Sequence, residues 1–462
     1  MCTSHAGAPP SIFNWNTANN LDINRGRCYN IAYRFRIPPL RTESRELLKK
    51  MGKIYFIDVT NRDGVQTARL SLSKLQKTMI NIYLNEFGVF QSEFGFPTTR
   101  HETNYLQANL ELAKMGVLQP IRLSGWIRAT VEDVETAFEL VPEIEYLNIS
   151  ISTSEQMIQG KFGGRKSRVD ILEQMVEALE AARKLGAKAV GVNAEDASRT
   201  DIDFLIQFAR AAKDNGAARF RYCDTLGYDD PFTIYDSIRK IAETVALPIE
   251  IHCHGDLGMA VATSISGAKG AVDGGQDAFI NTTINGIGER AGNADLLSCT
   301  LALVKSKGFS KKYQLGRPVM LNKSYKLAKY ASFAFGVPIP INQPGVGDNA
   351  FAHASGIHAD GVLKDPDNYE LYNFEELGRG EPELVETGRM ICSGEYSGIS
   401  GFSHIMGKME VSFANASEAR KILELVRYAN VEAQTPLVED ELIFIAKYPD
   451  ITKKLLTLTP LE

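Results

Sequence analysis

Eight short β-branched runs, each followed by an amphipathic stretch, succeed one another between Ile54 and Thr283. The runs are Ile54–Thr60, Val89–Phe94, Ile121–Gly125, Tyr146–Ile151, Ala187–Asn193, Arg219–Cys223, Pro248–His252 and Ala278–Thr283. Helical periodicity fills the gaps, as in Lys74–Glu86, Asn104–Lys114, Arg168–Leu185, Asp201–Asn215 and Pro231–Val245. Gly116, Gly186, Gly216 and Pro248 punctuate the junctions. Strand–helix alternation of this kind implies parallel βαβ units with right-handed crossovers. Eight such units in about 255 residues fit a closed (β/α)8 TIM barrel. A doubly wound open sheet competes, but no G-x-G-x-x-G follows the first strand. The α/β barrel is therefore predicted over residues 53–310. Residues 1–52 read as an irregular arm rich in Asn and Pro, 311–379 as a linker or lid, and 380–462 as a small, mainly helical C-terminal domain.

Barrel chemistry gathers where strands run into their following loops. Here those positions carry Arg62 and Asp63, Glu93, Asn148 with Ser150 and Ser152, Glu195 with Asp196, Asp224 with Thr225, His252 with His254, and Thr283 with Asn285. His252 and His254 stand two residues apart on one strand, so both face the lumen. Two imidazoles with a carboxylate such as Asp63 make a facial site for a divalent metal. Each residue also has a plainer reading. Asp63 suits a helix N-terminus, Glu93 could satisfy backbone donors, Glu195 could pair with Arg199, and His353 reads as incidental to a surface loop. Taken together, so many acids and imidazoles at one end of a barrel point to catalysis.

Four ordered motifs then carry a resemblance: Arg62–Gln66, His252–Gly258, Asn285–Asn293 and Ser355–Gly361. Over about residues 53–450 the chain resembles the Claisen-condensing metallolyase barrels, comprising isopropylmalate, homocitrate, citramalate and Re-type citrate synthases. The resemblance implies a divalent metal (Mn, Mg, Co or Zn) on Asp63, His252 and His254, with Asn293 at or near it. It implies acetyl-CoA as co-substrate and a 2-oxo acid as acceptor. Arg62 would stabilise the developing oxyanion and Gln66 would support the first-strand loop. Glu93 and Thr225 would position the oxo acid, and Glu195 would lie beside the acetyl methyl group. His358 and Tyr369 match groups that the family delivers from its lid across a homodimer interface.

Departures from the family pattern narrow the acceptor. Trp126 stands where homocitrate synthases usually carry His, and Asn148 replaces their partner acid. A bulky indole there favours a short acceptor. Asp58–Thr67 and Gln91–Pro97 are most similar to Re-type citrate synthases, which implies oxaloacetate, with Arg128 expected to read its distal carboxylate. Gly255, where the family usually has Asn, bears on the hydrogen bonding behind the metal ligands. A leucine-binding regulatory domain would need a longer C-terminal segment, so leucine feedback is not expected. A net charge of −5 without a dense Lys/Arg stripe argues against a nucleic-acid partner. No apolar run reaches bilayer length, and the six scattered cysteines lack a C-x-x-C pair, so a cytoplasmic protein is expected.

Overall fold

The computed structural model describes residues 52–380 and 392–458. The predicted N-terminal arm lies outside them, apart from Gly52, as do parts of the predicted C-terminal segment. Eight parallel strands close into the barrel: β1 (Lys53–Asp58), β2 (Gln91–Gly95), β3 (Arg122–Arg128), β4 (Tyr146–Ser152), β5 (Ala189–Glu195), β6 (Arg219–Asp224), β7 (Ile249–Cys253) and β8 (Ala278–Thr282). Closure comes from β8 pairing with β1, which also pairs with β2. A ninth, two-residue strand, Gln314–Leu315, pairs with the first residues of β1 and was not anticipated.

The helices start where the side chains supply backbone acceptors. Ser73 and Gln76 form a capping box on α1 (Lys74–Phe87), and Asp230 caps α7 (Pro231–Val245), which opens on proline. The intervening helices are α2 (Thr103–Lys114), α3 (Val131–Leu140), α4 (Glu155–Gly160), α5 (Arg168–Lys184) and α6 (Ile202–Asp214), followed by α8 (Ala260–Asp273) and α9 (Leu296–Lys305). Outward residues such as Val190, Val192, Phe220, Ile249 and Ile251 are buried beneath this ring.

Beyond the barrel, α10 (Ser324–Phe335) packs on α1, and a cluster of Leu297, Leu301, Ala328, Val346 and Leu377 ties the linker to the barrel's last helix. α11 (Gly356–Lys364) follows. The C-terminal helices are α12 (Ile399–Lys408), α13 (Ala416–Ala433), α14 (Glu439–Lys447) and α15 (Pro449–Leu455). They dock through polar anchors inside an apolar contact: Tyr83 donates to Asp440 and Tyr330 to Glu441 (2.6 Å), with the two tyrosine rings edge to face.

An apolar cluster of Tyr55, Ile57, Val59, Phe90 and Phe279 fills the base of the lumen and runs up β1. The lumen also holds the buried side chains of Gln91, Glu93, Ser124, Asn148, Arg219, Arg221, Glu250 and Asn281. Gly191 belongs to this arrangement: a Cβ there would sit 2.0 Å from Asn148 Oδ1, so glycine lets Asn148 cross to Glu93.

Asp58, at the end of β1, is fully buried with one oxygen unpartnered. Burial, with Asp295 contributing, raises its pKa to about 7. The folded state thus binds a proton that the unfolded chain releases above about pH 4, so this stabilisation is lost as pH rises towards 7. Asp58→Asn is expected to gain stability over the parent by a few kcal/mol at most on going from pH 5 to pH 7.5, read as the difference in thermal midpoints.

Candidate active site

A cavity of about 290 Å³ opens at the C-terminal ends of the strands. Its lining includes Arg62, Asp63, Gln66, Trp126, Glu195, Thr225, His252 and His254, drawn from strands and loops far apart in the chain.

Asp63, His252 and His254 converge on one point, and all three are buried. His252 Nε2 lies 3.2 Å from His254 Nε2 and 3.2 Å from Asp63 Oδ2, while His254 Nε2 lies 3.9 Å from the same oxygen. Protonation states follow from the neighbours. Asn281 donates Nδ2 to Glu250 Oε1 (2.8 Å), which turns its Oδ1 towards His252 Nδ1 at 3.1 Å. This contact fixes the ring so that Nε2 faces Asp63 and His254. Burial and then the neighbouring His252 push the His254 pKa down to about 4, so this ring is neutral at physiological pH. Burial would raise the Asp63 carboxyl, but Arg62 and the two imidazoles hold it well below the usual carboxylate range.

Two imidazoles and a carboxylate form a donor set that fits a divalent metal. Unpartnered buried atoms agree with that reading: Asp63 Oδ1, His254 Nδ1 and both amide atoms of Asn293 have no hydrogen bond. Asn293 pairs through its backbone with His254. Its side chain lies against Gly288, where a Cβ would meet Asn293 Oδ1 at 1.7 Å.

Arg62 is fixed on three sides. Its Nε donates to Glu93 (2.6 Å), its Nη1 to Asp63 (2.9 Å), and its guanidinium lies 5.4 Å from the Trp126 ring centroid. Glu93 also accepts from Arg221 (2.7 Å) and Asn148 (2.7 Å). On the opposite wall, Glu195 accepts from Ser152 and from Lys161 Nζ (2.6 Å). Thr225 Oγ1 accepts from the Asp196 backbone N–H (2.9 Å).

The structure thus gathers Arg62, Asp63, Gln66, Glu195, Thr225, His252 and His254 around one space. It places the remaining predicted residues differently. Glu93 lies beneath the cavity rather than in its lining, and it answers two arginines, not backbone donors. Glu195 does not pair with Arg199, whose partner is Asp196. Arg128, expected to read a substrate carboxylate, instead forks onto Asp133 near the start of α3 and leaves the cavity. The helix that follows β3 offers this acid five residues on, and the local pair prevails over a reach across the mouth.

His358 and Tyr369 stack with centroids 4.2 Å apart, yet neither lines this cavity. His353 contacts Glu370 at 3.2 Å. Gly255 leaves His252 supported by Asn281, while His254 Nδ1 has no partner. Arg221 and Asn193, both in the lining, were not anticipated. Strand parity with Cys223 and Glu195 was the available signal.

Residues 53–326 match the HMGL-like family, and residues 346–432 match the homocitrate synthase post-HMGL domain-like family. The chain is 69% identical over 412 residues to a citrate (Re)-synthase of Dehalococcoides mccartyi, covering 89% of this chain and 99% of that one. It is 37% identical to 2-isopropylmalate synthase 2 of Caldanaerobacter subterraneus, covering 88% and 98% respectively. Among solved structures, hydroxymethylglutaryl-CoA lyase from Pseudomonas aeruginosa aligns with a TM-score of 0.50 at 18% identity, over 63% of this chain and 96% of that one. That last likeness is one of fold alone.

Proposed function

The chain belongs to the HMGL-like family, and from that premise we propose that it condenses acetyl-CoA with oxaloacetate to give citrate and free CoA. The observation that carries this reading is the meeting of Asp63, His252 and His254 with Arg62 and Glu195 around one small cavity. The 69% identity to a citrate (Re)-synthase, along nearly all of that protein, supports oxaloacetate as the acceptor.

Asp63, His252 and His254 would hold a divalent metal, with Asn293 beside it. When bound, the metal supplies Lewis-acid polarisation of the acceptor's keto group. Glu195, held by Ser152 and Lys161, would take a methyl proton from acetyl-CoA. The methyl carbon then bonds to the keto carbon, and Arg62 faces the oxygen that gains charge. Thr225 and Gln66, both in the cavity lining, would flank the acceptor. Water finally cleaves the thioester, which releases CoA and drives the reaction forward.

His358 and Tyr369 would act in the cavity of a second subunit. In support, α11 buries none of its residues and, with the segment after it, exposes Ile357, Leu363, Tyr369 and Leu371. Such a patch suits a partner surface. Mixing His252→Ala and His358→Ala homodimers should then rebuild one intact site per heterodimer, restoring about a quarter of parental activity after random exchange. Sites complete within one subunit would regain nothing.

No helix among the described residues is long and apolar enough to cross a membrane. The free, buried thiols Cys223, Cys253 and Cys299 suit the reducing cytoplasm. Incubation with 13C-acetyl-CoA, oxaloacetate and Mn2+ tests the reaction directly. Labelled citrate in the mass spectrum is expected, and its absence alongside another labelled 2-hydroxy acid from a different acceptor would replace oxaloacetate.

A further inference from the structure

Asp196 follows Glu195 at the end of β5 with φ 65° and ψ 40°, in the left-handed region. A residue with a Cβ enters that region at a cost and stays there where its surroundings impose it. Asp196 is fully buried, and its sharp turn leads into a short 3-10 helix at Ala197–Arg199. Neither Asp196 nor Arg199 lines the cavity, so any part they take in the reaction is exerted through other residues.

The Asp196 carboxylate is filled from two directions. Arg199 folds back onto it, with Nε on Oδ1 at 2.9 Å and Nη2 on Oδ2 at 2.6 Å. Ser154, just past β4, donates its hydroxyl to Oδ2. The same hydroxyl accepts from the Met157 N–H and caps α4, and Lys161 directly after that helix holds Glu195. The Asp196 backbone completes the junction: its N–H donates to Thr225 Oγ1, and its carbonyl accepts from Thr200 Oγ1 at 2.8 Å. Thr153 fixes the preceding peptide, donating to the Glu195 carbonyl through its N–H (3.0 Å) and its hydroxyl (3.2 Å).

We infer that Asp196, clamped by Arg199 and Ser154, is the positioning residue that sets Glu195 and Thr225 relative to each other. This rests on the condensation reading above, in which Glu195 takes the methyl proton and Thr225 flanks the acceptor. One residue ties together the ends of β4, β5 and β6, whereas a simple turn cap needs only a single contact. Ser152 and Lys161 both donate to Oε2 of Glu195, which presents Oε1 to the methyl group. Proton removal from carbon demands close placement, and a misplacement of about 1 Å costs about 100-fold in rate.

Glycine adopts the left-handed conformation freely, so Asp196→Gly deletes the carboxylate without straining the backbone. In this variant kcat should fall about 100-fold, with KM for acetyl-CoA held within about twofold. The isotope effect on kcat from deuterated acetyl-CoA should be no smaller than the parent's, because proton transfer is the step that is slowed. Asp196→Asn tolerates the same backbone and keeps an acceptor oxygen, so it should retain activity within about 10-fold of the parent. Arg199→Met removes the partly exposed half of the clamp and should lower kcat about 10-fold with the same isotope signature. This second variant keeps the test open if the glycine variant does not fold. Folded Arg199→Met or Asp196→Gly protein with parental kcat overturns the inference, as does a slowed variant whose isotope effect drops below the parent's. Parental protein that turns over a different acceptor and ignores oxaloacetate overturns the condensation reading itself, a separate result.

Discussion

Replacement of His252 by alanine is expected to lower metal-dependent CoA release by at least about a thousandfold. His252 is the centre of the donor set, 3.2 Å from both Asp63 and His254, whereas those two stand 3.9 Å apart. Its removal leaves one imidazole and one carboxylate, and two ligands hold a catalytic divalent metal poorly. The same substitution strips Asn281 Oδ1 of its partner but leaves Asn281 Nδ2 on Glu250 and Glu250 paired with the arginines. The barrel should therefore fold normally. Bound metal measured by plasma mass spectrometry should fall with activity, while the circular dichroism spectrum stays that of the parent. Activity surviving in a metal-free variant would remove this centre from the reaction.

The second large effect is expected at Glu93, which lies beneath the cavity rather than in its lining. Burial would raise its pKa, but Arg221 and Arg62 lower it to about 2, so it is ionised at neutral pH. Its depressed pKa contributes stability above the unfolded carboxyl's range, and that contribution disappears as pH falls from about 4.5 towards 2. A shift of this size corresponds to about 3 kcal/mol, in line with the roughly 3–5 kcal/mol lost when a buried ion pair is broken. Glu93→Gln keeps the shape and deletes the charge. It should unfold at lower denaturant, lose the parent's acid lability in that window, and show kcat reduced about 100-fold because Arg62 is no longer aimed. Denaturant midpoints at pH 3 and pH 7 with parallel kinetics check all three. An unchanged kcat in a destabilised protein would leave Glu93 a structural residue and Arg62 independent of it.

Much of this was legible in the chain before folding. All eight barrel strands lie within a few residues of the β-branched runs, because parallel strands buried on both faces need such runs. The convergence of Asp63, His252 and His254 was legible because His252 and His254 share one strand face, a purely local relation, and Asp63 came with the Arg62–Gln66 motif. What stayed hidden depends on neighbours distant in sequence. Glu93 looked like a strand-end acid, yet its role is set by Arg221, 128 positions away. Arg221 and Asn193 were invisible as a pair until the register of β5 and β6 placed them side by side. Arg128 is paired with the nearby Asp133, a partner that its place at a strand end did not single out. The two-residue strand at Gln314 is too short to carry any periodicity.

The central claim is a metal-dependent condensation onto oxaloacetate, and thiol release from acetyl-CoA measures it most directly. Metal-reconstituted protein would be offered oxaloacetate, 2-oxoglutarate, 2-oxoisovalerate and pyruvate in parallel, with and without EDTA. The structure predicts rapid CoA release with oxaloacetate, much slower release with the other three, and silence under EDTA. Preference for 2-oxoisovalerate, or turnover undiminished by EDTA, would contradict it.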